Sequence, residues 1–232
     1  MSTLRSTKLA PRPRFFVVFS SATLLLVLAG FTTTFFLPLA RGTFSRPWFV
    51  YAHGSLFFLW ASLLVAQALL AMRRRLKWHR QLGWFGAALV PAMAGSGVLV
   101  AHWATRRDIA AGEAADALPF FFGALMDMFL FASLASAAIL LRGNPTAHKR
   151  LILIATLAIL GAAVGRIPVL GGSSNYITVF FLLSLAAFDL SISRRFHPAT
   201  IYGGLWLLVG IFTQAPIGNT SVWLSLAQRL LG

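Results

Sequence analysis

Five histidines carry most of the metal-binding chemistry available to this chain, because its 232 residues include no cysteine. Three of them, His79, His148 and His197, stand in similar basic stretches, and Asp189 precedes the last stretch. Three imidazoles with one carboxylate suit zinc or non-haem iron. The alternative is that these histidines open helices beside a membrane surface, since they lie on separate loops without the short spacing of a local metal motif.

Four polar side chains stand inside long apolar stretches: Asp127, Arg166, Asn175 and Gln214. A charged side chain at the centre of a bilayer costs roughly 3 kcal/mol or more, so such residues bind a ligand or pair with one another. We expect Asp127 and Arg166 to interact directly, either as a ligand or proton site or as a structural ion pair. For Asn175 and Gln214, hydrogen bonding between helices is the simpler interpretation.

The apolar stretches themselves predict membrane-spanning helices. Hydrophobic residues make up 58% of the chain and charged residues 11%, whereas soluble domains carry about 25% charged residues. Seven stretches are long enough to cross a bilayer, at residues 15–38, 48–72, 82–103, 118–141, 151–170, 173–191 and 200–218. We expect one all-α domain over residues 1–232, an integral membrane bundle of seven helices with three successive hairpins after a lone first helix.

The basic residues are distributed unevenly between the loops. With the N-terminus inside, the inner segments hold 14 of the 20 basic residues and the outer segments hold 5, while Arg166 lies within a span. The positive-inside rule then predicts a bacterial inner membrane protein with a cytoplasmic N-terminus and an external C-terminus. The net charge of +15 is attributed to contact with anionic lipids at the cytoplasmic face, not to nucleic acid.

Distances from the loop centres indicate which residues share a depth. Both arms of a helical hairpin rise about 1.5 Å per residue, so residues equidistant from the loop lie level. Three pairs lie level by this measure: Asp127 with Arg166, Asn175 with Gln214, and His53 with His102. We expect the first four to form one outward-facing polar site. His53 and His102 are expected at its mouth or, alternatively, at the interface in contact with water.

Haem is another interpretation of the histidines. His53 and His102 are level, but they lie on sequential helices whose axes are about 8–10 Å apart when packed, which leaves little room for a macrocycle. A pair on opposing helices, such as His79 and His197, would be easier to bridge. We rank haem b or a divalent metal behind the polar site, and we expect no strong haem absorption from the purified protein.

Several stretches resemble known sequences. HGSLFFLWASLLVAQ and WHRQLGWFG, with HKRLILIAT and FDLSISRRFHP further along, are similar to uncharacterised bacterial polytopic membrane proteins whose helices begin with His-Arg-x-Leu-Gly. The resemblance touches spans two to seven. It implies a bacterial cytoplasmic membrane and histidines that matter, but no particular reaction. A looser resemblance is to transmembrane b-type cytochromes, whose histidines ligate haem.

Three functions stay open from the sequence. The first is binding or translocation of a small anionic or carbonyl-bearing ligand, with Arg166 holding the ligand and Asp127 as counter-ion or proton acceptor. The second is a redox protein with haem or metal on the histidines, and the third is a non-catalytic subunit of a larger membrane assembly. A retinal protein is excluded, because Lys8, Lys77 and Lys149 lie outside the spans. Phosphate-loop and H-E-x-x-H motifs are absent.

Overall fold

The computed structural model describes residues 12–170 and 172–231. Arg5 and Lys8, which contribute to the expected orientation, lie outside the described residues. Seven helices in the described part are long and apolar enough to cross a membrane, which confirms the predicted all-helical class. In chain order the helices are α1 (Arg12–Phe31), α2 (Trp48–Met72), α3 (Leu76–Ala110), α4 (Ala114–Leu140), α5 (Pro145–Val164), α6 (Ser174–Ser193), α7 (Pro198–Gly218) and α8 (Ser221–Leu231).

The first span is longer than α1 itself. A π-helical turn at Thr32–Phe36 and a short α-helical turn at Leu37–Ala40 continue α1, so that the apolar rod runs from Arg14 to Ala40. The second helix has the predicted bounds, whereas α3 extends beyond residues 82–103 at both ends. Because a helix rises 1.5 Å per residue, α3 is longer than a bilayer core requires.

Local sequence chemistry fixes the starts of α5 and α7. The Asn144 side chain accepts hydrogen bonds from the backbone amides of Thr146 and Ala147, and Pro145 occupies the first turn. His197 does the same at α7, where its Nδ1 accepts from the amide of Ala199. A capping acceptor followed by proline is a strong helix start, because it satisfies free amides and fixes the first φ angle.

The end of α5 differs from the prediction. The helix ends at Val164 rather than at residue 170, and Arg166 lies in the turn after it. Pro168 has no amide hydrogen and disfavours helical geometry in the residue before it, so the helix stops ahead of it. Pro168 begins a short 3₁₀ turn that ends at Leu170. Arg166 therefore lies outside the helix, although the sequence predicts it within the span 151–170.

Helix α5 is the centre of the bundle. It packs against α1, α4, α6 and α7, and about two thirds of its apolar window is buried, against a third or less in the other spans. Its small residues permit close approach. At Gly30 on α1, a Cβ atom would lie only 2.1 Å from the Ala163 carbonyl oxygen, so this crossing requires glycine.

Two indole hydrogen bonds connect helices across the core. Trp60 on α2 donates through Nε1 to Thr156 Oγ1 on α5 at 3.1 Å, and both side chains are buried. Trp223 on the C-terminal helix α8 donates to the Leu118 carbonyl on α4 at 2.8 Å. A buried indole needs a partner for its N–H, and these two bonds tie α2 to α5 and α8 to α4.

Candidate functional site

The predicted ion pair between Asp127 and Arg166 is wrong. Asp127 Oδ1 instead accepts a hydrogen bond from Gln214 Nε2 on α7 at 2.6 Å. The Arg166 guanidinium lies 4.7 Å above the Phe31 ring and donates to the Ala162 carbonyl. The early end of α5 explains this difference, because the arginine comes after the last helical turn and folds back toward α1.

The other residues of the expected outward site do not gather around Asp127. Asn175 is exposed in the first turn of α6. His53 Nδ1 lies 3.3 Å from the Ser96 hydroxyl. His102 lies against the Phe121 ring. The pair of Asp127 and Gln214 is thus the part of the predicted site that the structure joins by a hydrogen bond.

A second polar region lies where α2 ends and α3 and α5 begin. Gln67, His79 and His148 line one cavity of about 90 Å³. Apolar side chains and small residues form most of the remaining wall: Trp60, Leu63, Leu64, Ile139, Ile152, Gly83, Gly86 and Ala87. The two imidazole rings are perpendicular, with their centroids 6.4 Å apart.

Both rings are held through the same nitrogen. His79 Nδ1 lies 3.3 Å from the Gln67 carbonyl oxygen, and His148 Nδ1 lies 2.8 Å from the Ala138 carbonyl oxygen. A carbonyl can only accept, so Nδ1 carries the proton in each neutral ring and Nε2 retains its lone pair. This arrangement is typical of histidines that bind metal, because the bond at Nδ1 fixes the tautomer and the ring orientation.

Gln67 links the two sides of this cavity. Its Nε2 donates to the His79 carbonyl at 3.1 Å, while its own backbone carbonyl accepts from the His79 ring. Its Oε1 is buried and has no hydrogen-bond partner in the described part of the chain. A buried polar atom left without a partner costs about 1–3 kcal/mol, so Gln67 has an unused acceptor next to the cavity.

His197 and Asp189 do not join this cavity. Asp189 is fully buried, and it accepts from Arg150 Nε at 2.9 Å, from Thr200 Oγ1 at 2.6 Å and from the His197 amide at 3.0 Å. Arg150 also contacts it through Nη2 and is itself buried. We define Arg150, Asp189, His197 and Thr200 as the Asp189 cluster.

The predicted four-residue metal centre is therefore corrected. No group of three or more histidine and acidic side chains in the described residues could hold a metal ion. Both Asp189 oxygens are already engaged, and His197 Nδ1 caps α7. Asp189 pairs with Arg150 on α5 and not with Arg194 or Arg195, which are nearer in sequence.

The tautomer of His197 is opposite to that of the cavity histidines. Its Nδ1 accepts a hydrogen bond, so the neutral ring carries its proton on Nε2. Burial, together with the charge of Arg150, lowers the pKa of His197 below its ordinary value of 6.5. The ring is thus neutral at pH 7, as a capping acceptor must be.

Arg150 was missed because its neighbours, His148 and Lys149, look like a basic loop. The signal was its position on the helix: Ala147, Ile154 and Ala158 lie three to eight residues away on the same face, and all are buried. Comparison of the chain with protein-family models, curated proteins and solved structures found no match. Function is therefore inferred from the geometry of the cavity, the Asp189 cluster and the pair of Asp127 with Gln214.

Proposed function

We propose that this multi-pass membrane protein binds a transition metal, as haem iron or as an isolated ion, through Nε2 of His79 and His148. The observation that carries the proposal is that both rings are fixed through Nδ1 and line the same cavity. Imidazole is a ligand for zinc, copper, iron and nickel. The sequence alone favoured the outward-facing polar site over a metal site. The pairing of these two rings reverses that order.

The spacing of the rings suits one shared metal. Metal–nitrogen bonds are about 2 Å long and a ring nitrogen lies about 1.1 Å from its centroid, so two imidazoles on opposite sides of one ion have centroids roughly 6 Å apart. The observed separation is 6.4 Å. Gln67 lines the same cavity, and its Oε1 has no hydrogen-bond partner among the described residues.

The volume of the cavity distinguishes between a bare metal ion and haem. About 90 Å³ fits a bare ion, whereas a macrocycle needs a pocket several times larger. Haem therefore fits only if the apolar side chains beside Gly83 and Gly86 move apart. The ligand set is neutral and the wall is mostly apolar, so a monovalent ion such as Cu(I) loses less solvation energy on entry than a divalent ion.

The residues around the cavity would hold the metal in an apolar environment. The Gln67 and Ala138 carbonyls keep each Nε2 deprotonated and fix both rings, while Trp60, Ile139 and Ile152 give the cavity an apolar wall. If haem is bound, it would supply one-electron chemistry. If a bare ion is bound, the site would serve to retain or transfer that ion.

The test is metal analysis and a reduced-minus-oxidised visible spectrum of the purified protein. We expect one metal per chain, reduced at least tenfold in His79→Ala and His148→Ala. His102→Ala is the matched control, since His102 lies elsewhere against Phe121, and it should retain full occupancy. A haem absorption band identifies haem, and copper or zinc without that band identifies an ion. If the purified wild type contains no metal and no haem, the proposal is refuted.

We further propose the membrane arrangement: three successive hairpins after the first helix, in a bacterial inner membrane, with the cavity at the cytoplasmic side. The basic residues around the cavity, among them Arg73, Arg75 and Arg80, support this orientation. Because the chain lacks cysteine, single cysteines can be introduced at positions 77 and 110. An impermeant thiol reagent should label position 110 in intact cells and leave position 77 unlabelled; the opposite pattern means a reversed orientation.

A further inference from the structure

Asp127 stands midway along α4, equally far from Ala114 and Leu140. At 1.5 Å per residue, each end of the helix is about 20 Å away, which places the carboxyl deep in the bilayer. Its hydrogen bond from Gln214 Nε2 comes from a neutral amide. The ion pairs among the described residues join Arg107 with Asp108 and Arg150 with Asp189, so neither involves Asp127.

The ionisable groups on the helices packed against α4 have other surroundings. On α5, Arg150 pairs with Asp189 and Lys149 lies over the Phe16 ring. Beyond α5, Arg166 lies over Phe31. The remaining ones are His148 on α5, whose Nδ1 lies 2.8 Å from the Ala138 carbonyl oxygen, His102 against Phe121, Tyr202 on α7, Arg229 on α8 and the terminal residues of α3, which are Lys77, His79, Arg80, Arg106, Arg107 and Asp108.

An ionised carboxylate with one neutral partner is unstable in such surroundings. Desolvation favours the neutral acid, and an ion pair or several donors would be needed to reverse this. Among the described residues, Asp189 has such donors, whereas Asp127 has only the Gln214 amide. The geometry thus separates a carboxylate held as an ion from a carboxyl that keeps its proton.

We infer that Asp127 is a proton-binding site in the interior of the membrane, positioned by the Gln214 amide. The ligand is a proton, and binding or release changes the charge of the bundle interior by one unit. Intramembrane carboxyls that exchange a proton are the elements from which proton relays are built. This function is separate from the metal site, because Asp127 lies on the middle of α4 and the cavity lies where α4 ends.

A hydrophobic carbodiimide tests the inference, because it reacts with protonated carboxyls inside membranes. The acid adds across one C=N bond: its oxygen bonds to the central carbon, its proton passes to nitrogen, and acyl migration leaves a stable N-acylurea without any other reactant. Membranes containing the full-length protein are treated with dicyclohexylcarbodiimide at pH 6, 7 and 8. We expect labelling at Asp127 that decreases as pH rises.

The variants make the result specific. Asp127→Asn keeps the shape and an acceptor for Gln214, and it should lose at least nine tenths of the label. Asp127→Glu should retain labelling, and Asp189 should stay unlabelled in every sample because Arg150 holds it as an ion. Gln214→Leu removes the donor that favours the carboxylate, so its labelling should persist to higher pH.

Infrared difference spectra of wild type and Asp127→Asn provide a readout that needs no reagent. We expect the carbonyl stretch of a protonated carboxylic acid in the wild type and its loss in the variant. Absence of both label and protonated-acid band would overturn the inference, and so would labelling of Asp189 equal to that of Asp127. Metal content is unaffected by these variants if the two sites are independent, so failure of one proposal is distinguishable from failure of the other.

Discussion

The Asp189 cluster and the His79–His148 cavity contain histidines from similar stretches of sequence, yet they are built in opposite ways. In the Asp189 cluster both carboxylate oxygens have donors, and His197 directs its lone pair to the start of α7. Around the cavity, His79 and His148 are bonded through Nδ1, and Gln67 Oε1 has no hydrogen-bond partner among the described residues. A polar cluster in which every donor and acceptor is hydrogen-bonded has no atom left for a ligand. A cluster with unpaired acceptors can bind a metal ion.

The largest effect is expected in the Asp189 cluster. Removing one partner of a buried ion pair costs about 3–5 kcal/mol, because the other charge stays buried. Arg150→Met and Asp189→Leu should each lower the free energy of unfolding in detergent by that amount, and the double variant should lose less than the sum. Arg107→Gln is the control, since its pair with Asp108 is partly exposed, with side-chain exposures of 46% and 26%, and solvent-accessible pairs contribute about 1 kcal/mol or less. Equal losses from Arg150→Met and Arg107→Gln would contradict the assignment.

A smaller effect is expected at His197. His197→Ala removes the cap of α7 and should lower the free energy of unfolding by about 1 kcal/mol. His197→Asn supplies another good capping acceptor and should restore most of this loss. Thermal unfolding of both variants, measured together with metal content, separates the two clusters: metal occupancy should be unchanged in each. Loss of metal in His197→Asn would mean that this histidine belongs to the binding site after all.

In the cavity, a mutation should change metal affinity more than it changes the free energy of unfolding. Gln67→Leu removes an unpartnered acceptor together with one hydrogen bond, so the free energy of unfolding should change by less than about 1 kcal/mol. Metal affinity should fall about tenfold, because Gln67 also positions the His79 ring. Competition with a chelator measures the affinity. A large stability loss with unchanged affinity would indicate a structural role instead.

The smallest expected effect is a pH dependence of stability from His197. Its pKa is lower in the folded protein than the ordinary 6.5, so the unfolded state binds more protons between the two values. By linkage, stability is then lost as pH falls from 6.5 toward the folded pKa and is fully present above 6.5. His197→Asn should remove this component. A variant with the same pH dependence as the wild type would show that the group does not titrate on unfolding.

The sequence predicts the helices well but not their rotations. The apolar stretch 48–72 matches α2, since length and hydrophobicity alone define a span. Counting residues from the loop centre placed Asp127 and Arg166 at the same depth, but depth does not give the direction of a side chain around the helix axis. Gln214 is the actual partner. Arg150 was assigned to the loop surface, although it is buried against Asp189.

The pairing of His79 with His148 could not be derived from spacing. The repeated stretches made all three inner histidines appear equivalent, and the sequence favoured His79 with His197 for haem. The two later histidines differ in their position relative to a proline: Pro198 makes His197 a capping residue, whereas His148 comes three residues after Pro145, within the first turns of α5. A proline directly after the histidine was therefore the available signal that His197 has another role.

The most direct test of the central claim is X-ray absorption at the edge of the metal bound to the purified protein. Two imidazole rings should scatter in the wild type and in the His102→Ala control, and only one ring should scatter around the residual metal that His79→Ala or His148→Ala retains. Metal–nitrogen distances should be about 2 Å. A metal environment without imidazole scattering, or one that does not change in the two cavity variants, would contradict the account.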